Sequence, residues 1–313
     1  MLERFSKVSN LNIIVIGDII LDKYIYGVIN RMSAEAPIPI VDRTGSKYVL
    51  GGSANVATNL KTLGANPIIL GTIGDDGYGD IICKMLNNAD IVSDKLIKIK
   101  KPSTVKTRVT VDDKQIFRVD HEDISPISKE VEYKVVNQLH NILKSKSIDG
   151  IIIQDYNKGL FTESMISLVI SFAKSNNITT FVDPKFNNYW NYNEVDYFKP
   201  NKKEIFTALD TDSISVEQAM RKTKSKLNCG HVICTLAQDG INYLSDTKFI
   251  KGPTQKIDVV DVSGAGDTTM AMIATSVLLG YDSEKILKLS NAAGRAACLK
   301  YGVSTITLSD LEL

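Results

Sequence analysis

The residues best suited to chemistry lie together near the end of the chain, in Asp261-Val-Ser-Gly264-Ala265-Gly266-Asp267. Its two glycines remove side chains from a turn, so backbone N–H groups can point together into open space. An apolar helical pattern follows, and a helix that begins here adds unpaired N–H donors and its positive dipole end. These features predict an anion site. Asp267 adds a carboxylate inside it, and a base beside an anion hole indicates transfer of a phosphoryl or acyl group.

Other polar residues follow the apolar runs or begin the predicted helices. Asp18 follows the first apolar run, where it can accept hydrogen bonds from two sugar hydroxyls or cap a helix or a turn. Gly51 and Gly52 permit close backbone approach just before a helix, and Asn55 offers both a donor and an acceptor. A structural turn explains this glycine pair equally well.

Two further candidates carry charge. Lys158 lies in the loop after the run Ile151–Ile153, where it can reach a phosphate or remain a solvated surface lysine. Asn201 and Glu204 are three residues apart and fall on one face of a helix. They can organise the water shell of Mg²⁺, or they can form a capping box at the start of that helix. Taken by themselves, the two residues favour the capping box.

Composition and motifs disfavour several classes of protein. A formal net charge of +1, from 37 basic and 36 acidic residues, lacks the basic footprint of a nucleic-acid-binding protein. Four cysteines without C-x-x-C spacing and three scattered histidines supply little for zinc or a histidine triad. Thr269 stands where a dinucleotide fingerprint needs glycine, and no P-loop motif occurs. Without a long apolar run or a signal peptide, we expect a cytoplasmic protein with no membrane partner.

The elements that must position these residues alternate along the chain. Short continuous apolar runs are typical of strands buried on both faces of a parallel sheet, and helical patterns separate them, so we predict a doubly wound α/β sandwich. The runs are Leu11–Gly17, Pro67–Ile73, Gly150–Gln154, Thr179–Val182 and His231–Thr235, and the helical patterns are Ala54–Leu63, Glu130–Leu143, Thr162–Ala173, Val216–Leu227, Asp267–Leu279 and Ser283–Leu299.

Two segments break this alternation. Lys23–Val49 contains two prolines and an alternating stretch, and Val105–Val119 has the polar alternation of a hairpin. We interpret them as a small, separate β layer that covers a cleft or pairs with another subunit. Surface hairpins without a role are the alternative.

The glycine pair with Asn55, the pair Asn201 and Glu204, and the segment Asp261–Asp267 together resemble the ribokinase-like (PfkB) carbohydrate kinases. The resemblance covers nearly the whole chain. It implies a three-layer α/β sandwich with a mostly parallel central sheet and a small β-sheet lid. It also implies one kinase domain over residues 1–313, with lid segments at about 19–49 and 103–120. In that family the second aspartate of the last motif is the catalytic base, which is Asp267 here, and Gly264, Ala265 and Gly266 form the anion hole.

Within the family, Gly17–Tyr24, Arg31–Val41, Gly51–Asn59 and Asp155–Gly159 are similar to the D-glycero-β-D-manno-heptose 7-phosphate kinases of ADP-heptose and lipopolysaccharide synthesis. Those enzymes commonly have proline where this chain has Ala34, a change that we expect to matter little. Bifunctional relatives carry an additional nucleotidyltransferase domain. Because the chain ends at Leu313, we expect the kinase alone.

The resemblance also implies ligands and an assembly. ATP, Mg²⁺ and a sugar phosphate are the expected ligands, with a homodimer formed through the lid. The implied sugar-binding residues are Asp18, Gly51, Gly52 and Asn55, and the sugar phosphate would be bound by Arg108, Arg118 and Lys158. ATP would be bound by Lys185, Asn201, Thr235, Gly240 and Asn291. Mg²⁺ would be held through water by Asn201 and Glu204, and a monovalent cation, usually K⁺, by Asp261.

Three other functions are weighed against this one. The first is another kinase of the same family, acting on ribose, fructose 6-phosphate or a nucleoside. The second is a sugar or nucleotide sensor without catalysis, against which the retained Asp267 and its glycines argue. The third is a dinucleotide-dependent oxidoreductase, which the missing fingerprint disfavours.

Overall fold

The computed structural model describes residues 2–112 and 114–312. In chain order the strands are β1 (Asn12–Gly17), β2 (Ile19–Met32), β3 (Pro39–Gly52), β4 (Asn66–Gly74), β5 (Leu96–Ile99), β6 (Thr104–Val111), β7 (Lys114–His121), β8 (Gly150–Gln154), β9 (Thr179–Asp183), β10 (Tyr197–Phe198), β11 (His231–Thr235), β12 (Ile241–Leu244) and β13 (Phe249–Gly252). The helices are α1 (Ser53–Thr62), α2 (Gly77–Asn88), α3 (Lys129–Ser145), α4 (Glu163–Ser175), α5 (Lys202–Leu209), α6 (Val216–Leu227), α7 (Ala265–Leu278) and α8 (Ser283–Cys298). Short 3₁₀ segments lie at Glu3–Asn10, Phe186–Asn188, Ala237–Asp239 and Leu308–Asp310.

The central sheet has the order β13-β12-β11-β10-β9-β8-β1-β4-β5. The strands from β11 to β5 are parallel, and β12 and β13 add an antiparallel edge. Strand β1 lies in the interior of the sheet, between β8 and β4. Its apolar side chains face helices on both sides of the sheet. This burial on two faces explains why the sequence reads as a continuous apolar run.

Two hydrophobic cores make the protein a three-layer sandwich. Ile13 and Val15 of β1 belong to the core that includes α1, α7 and α8, whereas Ile14 and Ile16 belong to the core that includes α3, α4 and α6. Successive side chains of a strand point to opposite faces, so one strand supplies both cores. All four side chains are fully buried. The predicted sandwich is confirmed.

The smaller sheet has the order β3-β2-β6-β7 and confirms the separate β layer. The long strands β2 and β3 are antiparallel, β6 runs parallel to β2, and β7 returns antiparallel as the edge strand. Asp113, which follows Asp112 in the sequence between β6 and β7, lies outside the described residues, as do the terminal residues Met1 and Leu313 of the domain predicted for 1–313. We call this sheet the lid. Its strands β2 and β3 lie between β1 and α1 in the chain, and β6 and β7 lie between β5 and α3.

No helix in the part of the chain that the structure describes has the length and apolar character to cross a membrane.

Candidate active site

The predicted anion site lies at the first turn of α7. Gly264 precedes the helix with φ 80, a left-handed conformation that favours glycine. The N–H of Ala265 is directed to the Val262 carbonyl at 3.3 Å, and the first bond of the helix runs from Thr268 N–H to the Gly264 carbonyl at 3.0 Å. The N–H groups of Gly266 and Asp267 therefore lack partners within the helix. Apart from its two neighbours and the backbone of its own helix, no atom of the described residues lies within 4 Å of the position that a Gly266 Cβ would take, so this turn faces open space.

Asp267 is held at this turn by side chains from two other elements. One carboxylate oxygen, Oδ1, accepts hydrogen bonds from the Tyr156 hydroxyl at 2.6 Å and from Gln154 Nε2 at 3.0 Å. The other oxygen, Oδ2, accepts from Asn55 Nδ2 at 2.9 Å. Only 3% of Asp267 is exposed. The carboxylate is therefore fixed in orientation and nearly removed from bulk water.

Burial raises the pKa of Asp267 from 3.8 to about 7. Hydrogen bonds from Tyr156 and Asn55 act in the opposite direction because they favour the ionised form, and the negative charge of Asp183 again raises the pKa. A carboxyl group that titrates near neutral pH can accept a proton from an alcohol and release it afterwards.

The glycine pair brings Asn55 to Asp267. Gly52 has φ 57, and a Cβ on it would lie 2.5 Å from the Asp18 carbonyl oxygen. A Cβ on Gly51 would lie 2.2 Å from Asp22 Oδ2, so a side chain at Gly51 would force Asp22 to move, whereas the positive φ and the backbone contact of Gly52 favour glycine. Asn59, one turn further along α1, donates from Nδ2 to Asn55 Oδ1 at 3.0 Å and fixes the amide orientation.

Asp18 forms the turn cap that was the alternative to a sugar contact, because it binds the loop that follows β8. Its Oδ2 accepts hydrogen bonds from the backbone N–H groups of Tyr156 at 2.8 Å and Lys158 at 3.1 Å. Burial and the nearby Asp155 carboxylate raise the pKa of Asp18 to about 7. Asp18 and Asp267 are therefore joined through a single loop residue, Tyr156, which bonds one through its backbone and the other through its hydroxyl.

The three basic candidates for a sugar phosphate each have an acidic partner. Arg108 forms an ion pair with Asp22 in the lid, and Arg118 lies opposite it on β7. Arg118 bonds Asp120 at 2.8 Å and is half-exposed. Lys158 pairs with Glu122 at 2.8 Å, and both side chains are largely buried. The structure brings Arg108 and Arg118 together as cross-strand neighbours and places Lys158 on a separate loop.

Thr235 and Asn201 are brought together by the sheet. Asn201 forms a parallel bridge with Thr235, whose N–H also donates to the Pro200 carbonyl at 3.1 Å. Both residues follow the carboxyl ends of neighbouring strands, β10 and β11, where α/β proteins bind ligands.

Gly240 and Asn291 meet at a second point. Gly240 has φ 88, and a Cβ on it would lie 2.2 Å from the Gly252 carbonyl oxygen. Asn291 donates from Nδ2 to that same oxygen at 2.9 Å. Two predicted residues separated by 51 positions in sequence therefore contact one carbonyl at the end of β13.

Asn201 and Glu204 form the capping box that their spacing favours. Asn201 Oδ1 accepts from Glu204 N–H at 2.8 Å, and Glu204 Oε2 accepts from Asn201 N–H at 2.8 Å. Glu204 Oε1 is engaged by Lys185, whose ammonium also lies 5.3 Å from the centre of the Tyr156 ring. In residues 2–112 and 114–312, no group of three or more His, Cys, Asp or Glu residues is arranged to hold a metal ion.

Asp261 joins two loops beside the anion site. Its Oδ1 accepts from Ser263 N–H at 2.9 Å, and its Oδ2 accepts from Gly302 N–H at 2.9 Å. The next residue, Val303, donates its N–H to the hydroxyl of Tyr24 on lid strand β2 at 3.3 Å. The lid therefore contacts the same loop that Asp261 holds.

The two side chains that bond Asp267 Oδ1, those of Gln154 and Tyr156, were not among the residues predicted from the sequence. Gln154 is the polar last residue of an apolar strand, and an amide at the carboxyl end of a buried strand is a signal that could have been used. Tyr156 lies within the Asp155–Gly159 loop, but nothing in its spacing indicates which residue its hydroxyl contacts.

Comparisons with known proteins agree with this arrangement. Residues 10–310 match the family described as pfkB family carbohydrate kinase. A protein of Hyphomonas neptunium named Bifunctional protein HldE is 33% identical over 98% of this chain and 64% of its own length. The protein of that name from Sulfurimonas denitrificans is 36% identical over 99% of this chain and 65% of its own length. The chain thus spans slightly less than two thirds of these relatives.

Two solved structures share the fold. Phosphofructokinase-2 from Escherichia coli in complex with potassium aligns with a TM-score of 0.82 and 18% identity, over 96% of this chain and 97% of that one. Arabidopsis thaliana ribokinase complexed with ribose and ATP aligns with a TM-score of 0.75 and 18% identity, over 97% of this chain and 99% of that one. The family model, the relatives and the fold confirm the resemblance found in the sequence motifs. The chain belongs to the pfkB family of carbohydrate kinases.

Proposed function

We propose that this kinase transfers the γ-phosphoryl group of ATP to the anomeric 1-hydroxyl of D-glycero-β-D-manno-heptose 7-phosphate, giving heptose 1,7-bisphosphate. The observation that carries the proposal is the buried Asp267 carboxylate, held by Asn55 at the open first turn of α7. The choice of heptose is supported by the motifs shared with heptose 7-phosphate kinases and by the similarity to the HldE proteins. This product serves ADP-heptose synthesis in the cytoplasm.

Asp267 acts as the general base in this mechanism. It accepts the proton of the 1-hydroxyl as that oxygen attacks the γ-phosphorus, and the bond from phosphorus to the ADP oxygen breaks. The N–H groups of Gly266 and Asp267, with the positive end of α7, stabilise the charge on the transferring oxygens. Because the transition state of phosphoryl transfer is loose, correct placement of charge matters more than base strength. The lid excludes water that would otherwise hydrolyse ATP.

The sugar is held between the central sheet and the lid in this proposal. Asp18, Gly52 and Asn55 bind its hydroxyls. Arg108, Arg118 and Lys158 are the candidates for its 7-phosphate, which would replace the carboxylates that now pair with them. A bidentate arginine suits a phosphate better than lysine does, so the cross-strand pair Arg108 and Arg118 is the stronger candidate.

ATP occupies the other half of the site and brings Mg²⁺ with it as the substrate MgATP. Lys185, Thr235, Gly240 and Asn291 line its pocket. Both Glu204 oxygens are already engaged, so Asn201 and Glu204 can approach the metal only through water. Asp261 is suited to a K⁺ ion because each of its oxygens accepts one N–H and keeps a further lone pair. Bound there, K⁺ supplies positive charge beside the anion hole.

A substrate panel tests the proposed reaction. ATP-dependent phosphorylation is measured with heptose 7-phosphate, sedoheptulose 7-phosphate, ribose and fructose 6-phosphate, first in K⁺ and then in tetramethylammonium. We expect the highest kcat/KM for heptose 7-phosphate and a marked loss of activity without K⁺. Faster turnover of another sugar would replace heptose as the substrate. Equal activity in the two cations would remove the role given to Asp261, and absence of any turnover would favour a sensor.

A further inference from the structure

The hydrogen bonds to Asp267 divide unevenly between its two oxygens. Oδ1 accepts two of them, from Tyr156 and Gln154, whereas Oδ2 accepts one, from Asn55. Each carboxylate oxygen offers about two acceptor positions. Among the contacts of the described residues, Oδ1 is therefore saturated and Oδ2 keeps one position for a ligand.

We propose that Tyr156 and Gln154 are positioning residues that hold Asp267 by Oδ1, so that Oδ2 is the oxygen that receives the proton of the sugar hydroxyl. The proposal rests on the proposed role of Asp267 as base. In the transfer, the O–H bond of the sugar breaks and a new bond from the proton to Oδ2 forms. The freed electron pair of the sugar oxygen attacks the γ-phosphorus, and the bond from that phosphorus to the ADP oxygen breaks, so that ADP leaves with its electron pair. Asn55 bonds Oδ2 and lies on the sugar side of the carboxylate in this proposal. The helix that carries it, α1, begins at the glycine pair beside Asp18.

Both positioning residues are themselves held in place. Gln154 is 1% exposed at the end of β8, and its Nε2 also donates to Asp183 Oδ2 at 3.1 Å. The backbone N–H of Tyr156 is bonded to Asp18 Oδ2 at 2.8 Å, and the Lys185 ammonium lies over its ring. A base whose supporting groups are fixed needs no reorganisation when the substrate binds.

The charges around Asp267 are consistent with this arrangement. Asp183 on β9 faces it, but Asp183 is paired with the buried Lys199 at 2.9 Å. The charge of Lys185 interacts with Asp267, which itself lies in the first turn of α7, at the positive end of that helix. Burial and the Asp267 carboxylate raise the pKa of Tyr156 well above its ordinary value, so the hydroxyl stays protonated and donates throughout an assay range near neutral pH.

The variant Tyr156→Phe tests the proposal by removing the hydroxyl alone. Loss of a hydrogen bond to the ionised form should raise the pKa of Asp267 by about one unit, a tenfold change in its proton affinity. We expect this shift in the ¹³C resonance of the Asp267 carboxyl carbon, assigned by comparison with Asp267→Asn. The acid limb of the kcat/KM profile should move by the same amount, and kcat should fall more than the KM for ATP changes.

The variant Tyr243→Phe is the matched control. It removes a tyrosine hydroxyl that bonds His231 Nδ1 at 2.8 Å on β11, away from the base, and we expect neither titration to change. Should Tyr156→Phe fail to fold, Gln154→Leu removes the other bond to Oδ1 and should shift both titrations in the same direction.

Two outcomes would overturn the proposal. An unchanged Asp267 pKa in the folded variants would show that the bonds to Oδ1 do not control the carboxylate. A shifted pKa with an unmoved acid limb would show that Asp267 does not receive the proton. The NMR titration needs no sugar, and the rate profile can use whichever sugar is phosphorylated, so failure of heptose as the substrate is distinguishable from both.

Discussion

At the scale of single residues, Asp267 carries opposite consequences for catalysis and stability. Its pKa is about 7 in the folded protein, against an ordinary value of 3.8. Between these pH values the folded state keeps a proton that the unfolded state has lost. Stability contributed by this residue is therefore greatest below pH 3.8, falls as the pH rises toward 7, and stays low above it.

The variant Asp267→Asn should separate these two effects. We expect kcat to fall by about 10²–10⁴-fold because the base is lost. We also expect the melting temperature to rise at pH 8, since an uncharged amide avoids a burial penalty of a few kcal/mol, and to rise less at pH 5. A coupled ADP assay and calorimetry at both pH values measure the two effects.

Asp212→Asn provides the control, because it makes the same substitution at an exposed position between α5 and α6. It should leave kcat and the melting temperature unchanged. Normal kcat in a folded Asp267→Asn protein would remove the assignment of the base. A lower melting temperature at pH 8 would contradict the argument about burial.

At the scale of elements, the first turn of α7 contains two glycines with different tasks. Gly264 has positive φ, and a Cβ on it would lie 2.7 Å from Asn55 Nδ2. Gly266 is helical, and its Cβ would point into open space. The first glycine is therefore needed for the fold of the turn, and the second keeps room for a ligand.

Alanine at each position should show this difference. Gly264→Ala should lower the melting temperature, because the left-handed conformation alone costs about 1–2 kcal/mol and Asn55 must also move. Gly266→Ala should leave the melting temperature unchanged or slightly higher, yet lower kcat/KM by about tenfold or more, because its methyl group obstructs the phosphate oxygens. Each variant serves as the control for the other. Equal loss of stability in both would contradict the division of tasks.

The sequence predicts the elements that are long and strongly patterned. The apolar runs of β1, β8, β9 and β11 and the glycine-rich start of α7 were identified correctly, because full burial and tight turns restrict the residues allowed there. The two-residue strand β10 is too short to show a period. Helix α2 begins Gly-Tyr-Gly, and these glycines hide its helical pattern in the sequence. Its start is fixed by the Asp76 side chain, which accepts a hydrogen bond from Gly79 N–H at 2.8 Å.

The site was predictable where a motif constrains its own neighbours. Gly264–Asp267 and the capping box of Asn201 with Glu204 are local patterns, and both form as the spacing indicates. The contact of Tyr156 with Asp267 joins residues 111 positions apart and depends on where β8 lies in the sheet. Local pattern carries no information on such a contact, which is why the Oδ1 partners emerge only from the structure.

At the scale of the whole molecule, the lid leaves an apolar edge exposed. All eight residues of β7 are exposed, and Phe117 and Val119 are about half accessible. An edge strand with apolar side chains and unpaired backbone groups is a ready surface for pairing with another chain. We propose that two copies of this protein pair through their lids, so that each lid is supported by the other.

The variant Phe117→Glu should weaken that pairing. A charge placed within an apolar interface is costly, so we expect sedimentation velocity to change from a dimer to a monomer. The matched control is Tyr133→Glu, which substitutes an even more exposed aromatic residue on α3, outside the lid, and should remain dimeric. A monomeric wild-type protein, or a dimer that survives Phe117→Glu unchanged, would contradict the proposed interface.

The double contact of Tyr156 constrains how this enzyme can evolve. Its backbone is bonded to Asp18 and its hydroxyl to Asp267, the residues proposed to bind the sugar and to act as the base, so any shift of the loop alters both together. Mutations that adapt this loop to a differently shaped sugar would therefore reduce turnover at the same time. We expect descendants with new sugar preferences to have changed the lid, whose arginines are not bonded to the base, and to have left the Asp155–Gly159 loop intact.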